Sequence, residues 1–130
     1  MLLLERSNLI ESHWSNQWLT NFSYLREPGG HIITFDPPNA VNGTYALSIN
    51  PGGAITGYFV DSVGVEHGFL RRNDGFFTTF DVPGASGTEP GTINPSGAVS
   101  GDYFDPSGVY HGFVRAADGT ITTLDHSRPN

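Results

Sequence analysis

The chain has 130 residues and sets thirteen Asp and Glu against six Lys and Arg, a net charge of −7, so phosphate backbones and anionic lipid surfaces repel it and neither nucleic acid nor a membrane is an expected partner. It contains no cysteine, which excludes disulfides, thiolate nucleophiles and Cys-ligated zinc. Seventeen Gly and nine Pro beside a single Met, with Phe, Tyr, Thr, Val and Ile supplying the bulk, exclude a helical bundle and point to one turn-rich β domain.

Residues 1–20 form a segment of their own. "MLLLERSNLI" has only three Leu before Glu5 and Arg6, too short an apolar run for a signal peptide or a membrane span, so no export signal is expected in the chain as given. In "SNLIESHWSNQWLTNF" Asn8 stands three before Glu11 as in a capping box, and Ile10, Trp14 and Trp18 follow at a spacing of four. That pattern predicts a short amphipathic helix. Its two Trp are expected to pack as a plug or a subunit contact, and they are also candidate ligand-binding groups for a sugar.

The rest of the chain repeats. Ile49–Asp81 aligns on Ile93–Asp125 at an offset of 44 without a gap, with 18 of 33 positions identical. "YLREPGGHIITFDPPNA" (24–40) lies over "FLRRNDGFFTTFDVPGA" (69–85) at an offset of 45. The organisation read from this is a partial unit over 21–48, a full unit over 49–92, and a full unit with the C-terminal tail over 93–130. Inside a unit, Asn-Pro-x-Gly, Asp-x-x-Gly and x-x-Asp-Gly turns separate segments of strand length: "AITGYFV", "VEHGFLR" and "FFTTFD", then "AVSGDYF", "VYHGFVR" and "TITTLD". A fourth, weaker strand is expected through "ALSIN" and "GTIN". Four short antiparallel strands per 44–45 residues is the period of a β-propeller blade.

The string [FY]-x-D-x-x-G-V-x-H-G-F-[LV]-R-x-x-D-G-x-x-T-T-[FL]-D, continued after Asp81 by Val-Pro-Gly-Ala, resembles the bacterial HAF repeat, found in tandem in extracellular repeat proteins. The resemblance covers residues 24–125 and implies a propeller-like fold and an extracellular bacterial location; it implies little about activity. A closed propeller needs about 4–8 blades, more than this chain encodes. The expected solution is a homo-oligomer, a dimer or a trimer, whose head-to-tail contacts close a ring.

The chemistry-bearing residues recur with the unit. His67 and His111 alternate with apolar residues and are expected to be hydrogen-bonded links between strands, with Asp81 and Asp125, or Asp61 and Asp105, as partners. If they instead face the axis of a ring, converging imidazoles form a candidate zinc or other divalent-metal site, with His31, His126, Asp81 and Asp125 as weaker ligands. Such a site would activate water against an ester or phosphotriester. Arg71 and Arg115, matched by Arg26, suit a salt bridge between blades or a ligand contact. Asp61 and Asp105 open Asp-x-x-Gly turns, where a carboxylate accepts backbone N–H groups of its own turn. No Gly-x-Ser-x-Gly nucleophile motif and no phosphate-binding glycine loop occurs. Two functions follow: a binding or scaffold module with repeated pockets between blades for a carbohydrate or another surface ligand, which needs no cofactor, or a zinc-type hydrolase of a small ester.

Overall fold

The computed structural model describes residues 2–5, 8–14, 21–26 and 32–124, with side chains at Leu25 and from Ile33 onward. Twelve strands follow in chain order: β1 Leu2–Glu5, β2 Asn8–Trp14, β3 Asn21–Arg26, β4 Ile32–Phe35, β5 Thr44–Ile49, β6 Ile55–Val60, β7 Glu66–Arg71, β8 Phe77–Phe80, β9 Gly87–Ile93, β10 Val99–Phe104, β11 Tyr110–Arg115 and β12 Ile121–Leu124. They form three antiparallel meanders, β1-β2-β3-β4, β5-β6-β7-β8 and β9-β10-β11-β12, each a four-stranded sheet. All strands expected from the repeat are present, including the fourth one in each full unit.

The N-terminal helix is not. β1 and β2 pair antiparallel, Leu4 opposite Leu9 and Leu2 opposite Glu11, and β2 continues onto β3 with Trp14 opposite Asn21. A spacing of four puts Ile10 and Trp14 on one face of a helix, but it is also a multiple of two and puts them on one face of a strand. With β1 and β2 in place, the partial unit becomes a complete four-stranded sheet. Trp18, His31, Asp125 and His126 lie outside the described residues, and Trp14 is placed by its backbone alone.

The sheets stack in chain order. Between the first and second lie Leu25, Phe35, Ala46, Ile49, Ile55, Phe59 and Phe69, all buried. A second cluster joins the second sheet to the third: Val82, Ile93, Val99 and Phe113, with Leu70, Phe80 and Tyr103 packed against it. Adjacent residues of β7 therefore serve opposite interfaces, Phe69 one and Leu70 the other, as strand alternation requires. The opening strands of successive sheets are neighbours, β1 beside β5 and β5 beside β9. Two hydrogen bonds tie the last pair: the Asn50 side-chain amide donates to the Asn94 carbonyl at 3.0 Å, and the Ile93 N–H donates to the Ser48 hydroxyl at 3.1 Å.

The interfaces copy one another in detail. The Phe35 ring meets Phe69 edge-on at 6.3 Å and 69°, and Phe80 meets Phe113 at 6.2 Å and 70°. Over Phe35 sits the Arg71 guanidinium, 5.2 Å from the ring centroid; over Phe80 sits Arg115, at 5.1 Å. Each repeated Arg thus reaches the last strand of the preceding sheet, where a cation above a ring face gains electrostatic attraction in a partly dry setting. Arg115 also lies close enough to Asp118 to help hold that carboxyl below its usual range, after the hydrogen bonds from the Thr120 backbone and side chain.

Candidate functional site

A cleft of about 390 Å³ opens beside the second sheet, lined by Asn39, Val41, Phe59, Asp61, Ser62, His67, Thr79 and Asp81. Three elements build it: the linker over 36–43, the β6–β7 turn, and the end of β8.

The turn comes first. Asp61 accepts the Gly64 N–H on its backbone carbonyl at 3.1 Å, and its Oδ1 accepts the N–H groups of Val63 at 2.9 Å and Val65 at 3.0 Å. Gly64 takes φ 90°, a left-handed conformation that a side chain resists, which is why the motif needs glycine there. Oδ1 being committed to the turn, Oδ2 is left to meet His67 Nε2 at 2.7 Å. The third unit repeats this: Asp105 Oδ1 accepts from Ser107 and Val109, and Oδ2 meets His111 Nε2 at 2.9 Å. His67 lies cross-strand from Phe59 with ring centroids 5.2 Å apart, and His111 likewise from Tyr103 at 5.2 Å.

In the second sheet the clamp has a second jaw. His67 Nδ1 meets Asp81 Oδ1 at 2.7 Å, just past β8. Carboxylates only accept, so both ring nitrogens must donate for both bonds to form, and His67 is then an imidazolium. Burial works against that charge, but the hydrogen bonds to Asp61 and Asp81 and their negative charges outweigh it, and the pKa of His67 is raised. Asp61 is held below the usual carboxylate range by His67 first, then by the Val65 and Val63 N–H groups.

The linker closes the other side. Pro37 accepts the Ala40 N–H at 3.3 Å, and between them Asn39 takes φ 71°, the only non-glycine with positive φ among the described residues. At the matching turn before the third sheet, Val82 accepts from Ala85 and the left-handed position is Gly84, φ 80°. A carboxamide therefore stands at the cleft where the following unit carries Gly84. Nearby, the buried Thr88 hydroxyl accepts the Val82 N–H at 3.1 Å. For its counterpart Thr44 the residue matching Val82 is Pro37, which has no N–H to give, and the Thr44 hydroxyl donates to Asp36 at 2.6 Å.

Of the residues singled out by sequence, His67 and Asp81 belong to the cleft, as does the turn residue Asp61. Arg71 is buried between sheets and Arg115 partly so, which sets them in the packing. His111 repeats the contact to its turn aspartate, Asp105, in the next sheet. Among the described residues no group of three His, Cys, Asp or Glu is arranged to hold a metal ion, and carboxylates already engage both nitrogens of His67. Sequence reasoning missed Asn39, Val41, Phe59, Ser62 and Thr79. Asn39 carried a signal: in the aligned copies Pro-Asn-Ala at 38–40 stands over Pro-Gly-Ala at 83–85. No protein-family model, curated protein or solved structure matches the chain.

Proposed function

We propose that this chain is a carbohydrate-binding module built from β-propeller blades of the HAF-repeat type, completed by further copies of itself, with the His67 cleft as its ligand site. The observation that carries this reading is the pairing of fixed polar groups with an apolar wall. Asp81, whose side chain is 54% exposed, gives one oxygen to His67. Asn39 adds an amide, Ser62 and Thr79 add hydroxyls, and Val41 and Phe59 supply the apolar surface. Sugars are recognised by such sets, in which hydroxyl pairs meet planar carboxylates and amides while C–H faces lie on apolar side chains; a few fixed polar groups give the specificity. The hydrogen bonds around Asp61 and His67 keep the carboxylates in position without a ligand, which lowers the entropy cost of binding. Stacked meanders with adjacent opening strands support the blade reading, and repeated sites on a ring would raise the avidity of weak single-site binding.

The test is a glycan array probed with the purified protein and with Asp81→Asn and Asn39→Ala. The expected result is retention of a defined set of neutral glycans, weakened roughly tenfold or more in each variant, the scale of one charged or well-placed hydrogen bond. If the wild type at high loading retains no glycan, or the variants retain the same glycans equally well, the cleft is not a sugar site.

A further inference from the structure

Two carboxylates hold one imidazole in the cleft, and the two holds are unequal. Asp61 is pinned from its other side: its Oδ1 accepts the Val63 and Val65 N–H groups, and its side chain is only 22% exposed. Asp81, just past β8, is 54% exposed, and its side chain makes one bond among the described residues, through Oδ1 to His67 Nδ1. The Asp61 contact also recurs one unit later, where the same turn presents Asp105 to His111 Nε2.

A neutral imidazole has one N–H and one lone pair. With both carboxylates in place, that lone pair would face an anionic oxygen at 2.7 Å, so one contact has to open when the ring loses a proton. The proton on Nε2 stays, because the turn holds Asp61 in place whatever the ring does. The proton on Nδ1 leaves, and Asp81 is the jaw that opens.

The surroundings offer no substitute charge. Phe59 of β6 puts a ring beside His67, and every lining side chain other than Asp61, His67 and Asp81 is uncharged. Asp36, the carboxyl of the linker, lies outside the lining and accepts the Thr44 hydroxyl. Glu66 precedes His67 in β7 and alternates to the opposite face, near Glu89.

We infer that His67 is the positioning residue of this cleft: its doubly protonated ring fixes Asp81 for the ligand, and loss of the Nδ1 proton frees Asp81 and weakens binding. A freed, exposed carboxylate has to be ordered again by each ligand, which adds an entropy cost that the clamp removes. Burial opposes the charge on His67, and the two carboxylates more than offset it, so the ring keeps its proton to higher pH than an ordinary histidine, about 6.5. Binding is therefore fully present below about 6.5 and is lost as pH rises through the higher pKa of the clamped ring. Linkage is reciprocal: a ligand that holds Asp81 also holds the proton, by the same factor. The inference rests on the cleft being the sugar site and adds how that site is switched.

Imidazole nitrogen NMR of the ligand-free chain from about pH 5 to about pH 9, with retention on a neutral-glycan array at both ends of that range, tests it. His67 should carry two ring protons at about pH 5 and the Nε2–H tautomer at about pH 9, and retained glycans should bind roughly tenfold more weakly at the alkaline end, the scale of one charged hydrogen bond. His67→Gln and Asp81→Asn should bind at the weak level with a flat profile, having no clamp to lose. Glu66→Gln, which removes the titration at about 8 on the other face, should keep the wild-type profile. Equal retention at both ends, with His67 losing its proton between them, overturns the switch and leaves the sugar site. A single ring proton at about pH 5, two at about pH 9, or the Nδ1–H tautomer at about pH 9 overturns the clamp as the device. A His67→Gln profile that falls like the wild type overturns His67 as its cause. Retention of no glycan at either end overturns the sugar site, and this switch with it.

Discussion

Asn39 and His67 carry most of what is individual about the cleft, and they were legible to different degrees. The repeat pointed to His67 and to the two aspartates that hold it, because a histidine kept among apolar neighbours needs partners for both nitrogens. The sequence could not reveal that both aspartates bind it at once, since that depends on where the β6–β7 turn and the end of β8 meet. Asn39 was visible only as a departure from glycine. Its φ of 71° is one that asparagine tolerates and β-branched residues resist. Asn39→Val should therefore lose about 1–2 kcal/mol of unfolding free energy in urea, while Asn39→Gly should stay within about 0.5 kcal/mol. Equal losses in both would mean that the carboxamide's contacts, and not its backbone, matter there. Arg71 and Arg115 suited a salt bridge between blades or a ligand contact; the ring that lies under each was not legible, because that aromatic is 35 or 36 residues earlier in the chain and no local spacing announces it.

At the scale of strands, punctuation was the strongest signal. Every turn placed by a repeated glycine is a turn, and the strands between them fall within a residue or two of their expected ends, except β9, which begins four residues before the expected "GTIN". What failed was the non-repeating start, where a four-residue spacing fits two periodicities and only partners in space choose between them. One glycine pair in the strands has a role the pattern does not explain by itself. β5 and β9 each carry a register shift, between Ala46 and Ser48 and opposite Ser100 and Gly101. Facing these irregularities, a Cβ on Gly57 would lie 1.9 Å from the Tyr45 carbonyl oxygen, and one on Gly101 would lie 2.4 Å from that of Glu89. The obstacle is backbone, which cannot rotate away as a side chain can. Gly57→Ala and Gly101→Ala should each destabilise by about 1–3 kcal/mol, the range for forced overpacking, measured by urea unfolding. A loss under about 0.5 kcal/mol would show that the bulge relaxes and that the glycines serve folding in some other way.

The whole molecule inherits a pH dependence from these local arrangements. Glu66 of the second sheet lies near Glu89 of the third; burial first, then the neighbouring Glu89 carboxyl and its charge, push Glu66 up to about 8. Around them, Tyr58 is pushed up to about 12 by burial and then by the charges of Glu66 and Glu89, and Tyr110 is raised by Glu89 first. A carboxyl whose folded pKa exceeds its unfolded value binds more protons when folded, so stability is full below about 4.5 and is lost as pH rises through about 8. His67, also raised, acts in the same direction: its contribution is present below about 6.5 and is lost through its higher folded pKa. On the acid side Asp61, Asp74, Asp105 and Asp118 are all lowered, the hydrogen bond from His67 leading for Asp61, from Arg72 for Asp74, from His111 for Asp105 and from the Thr120 backbone for Asp118. Their contribution is present above about 3.8 and disappears below it. Self-repulsion of the excess carboxylates adds to the alkaline loss, since the chain has a pI near 4.9. The unfolding midpoint in urea should therefore peak between about pH 4 and 6 and decline toward pH 9, with a slope well under the ~1.4 kcal/mol per pH unit of a fully shielded group, because Glu66 is only partly buried. Glu66→Gln keeps the shape, cannot ionise, and should flatten the decline above pH 6; His67→Gln should flatten it in part, with the Asp61 turn retained. A wild-type midpoint that rises from pH 6 to 9, or a Glu66→Gln profile parallel to it, would mean that the two sheets do not meet through a protonated carboxyl pair.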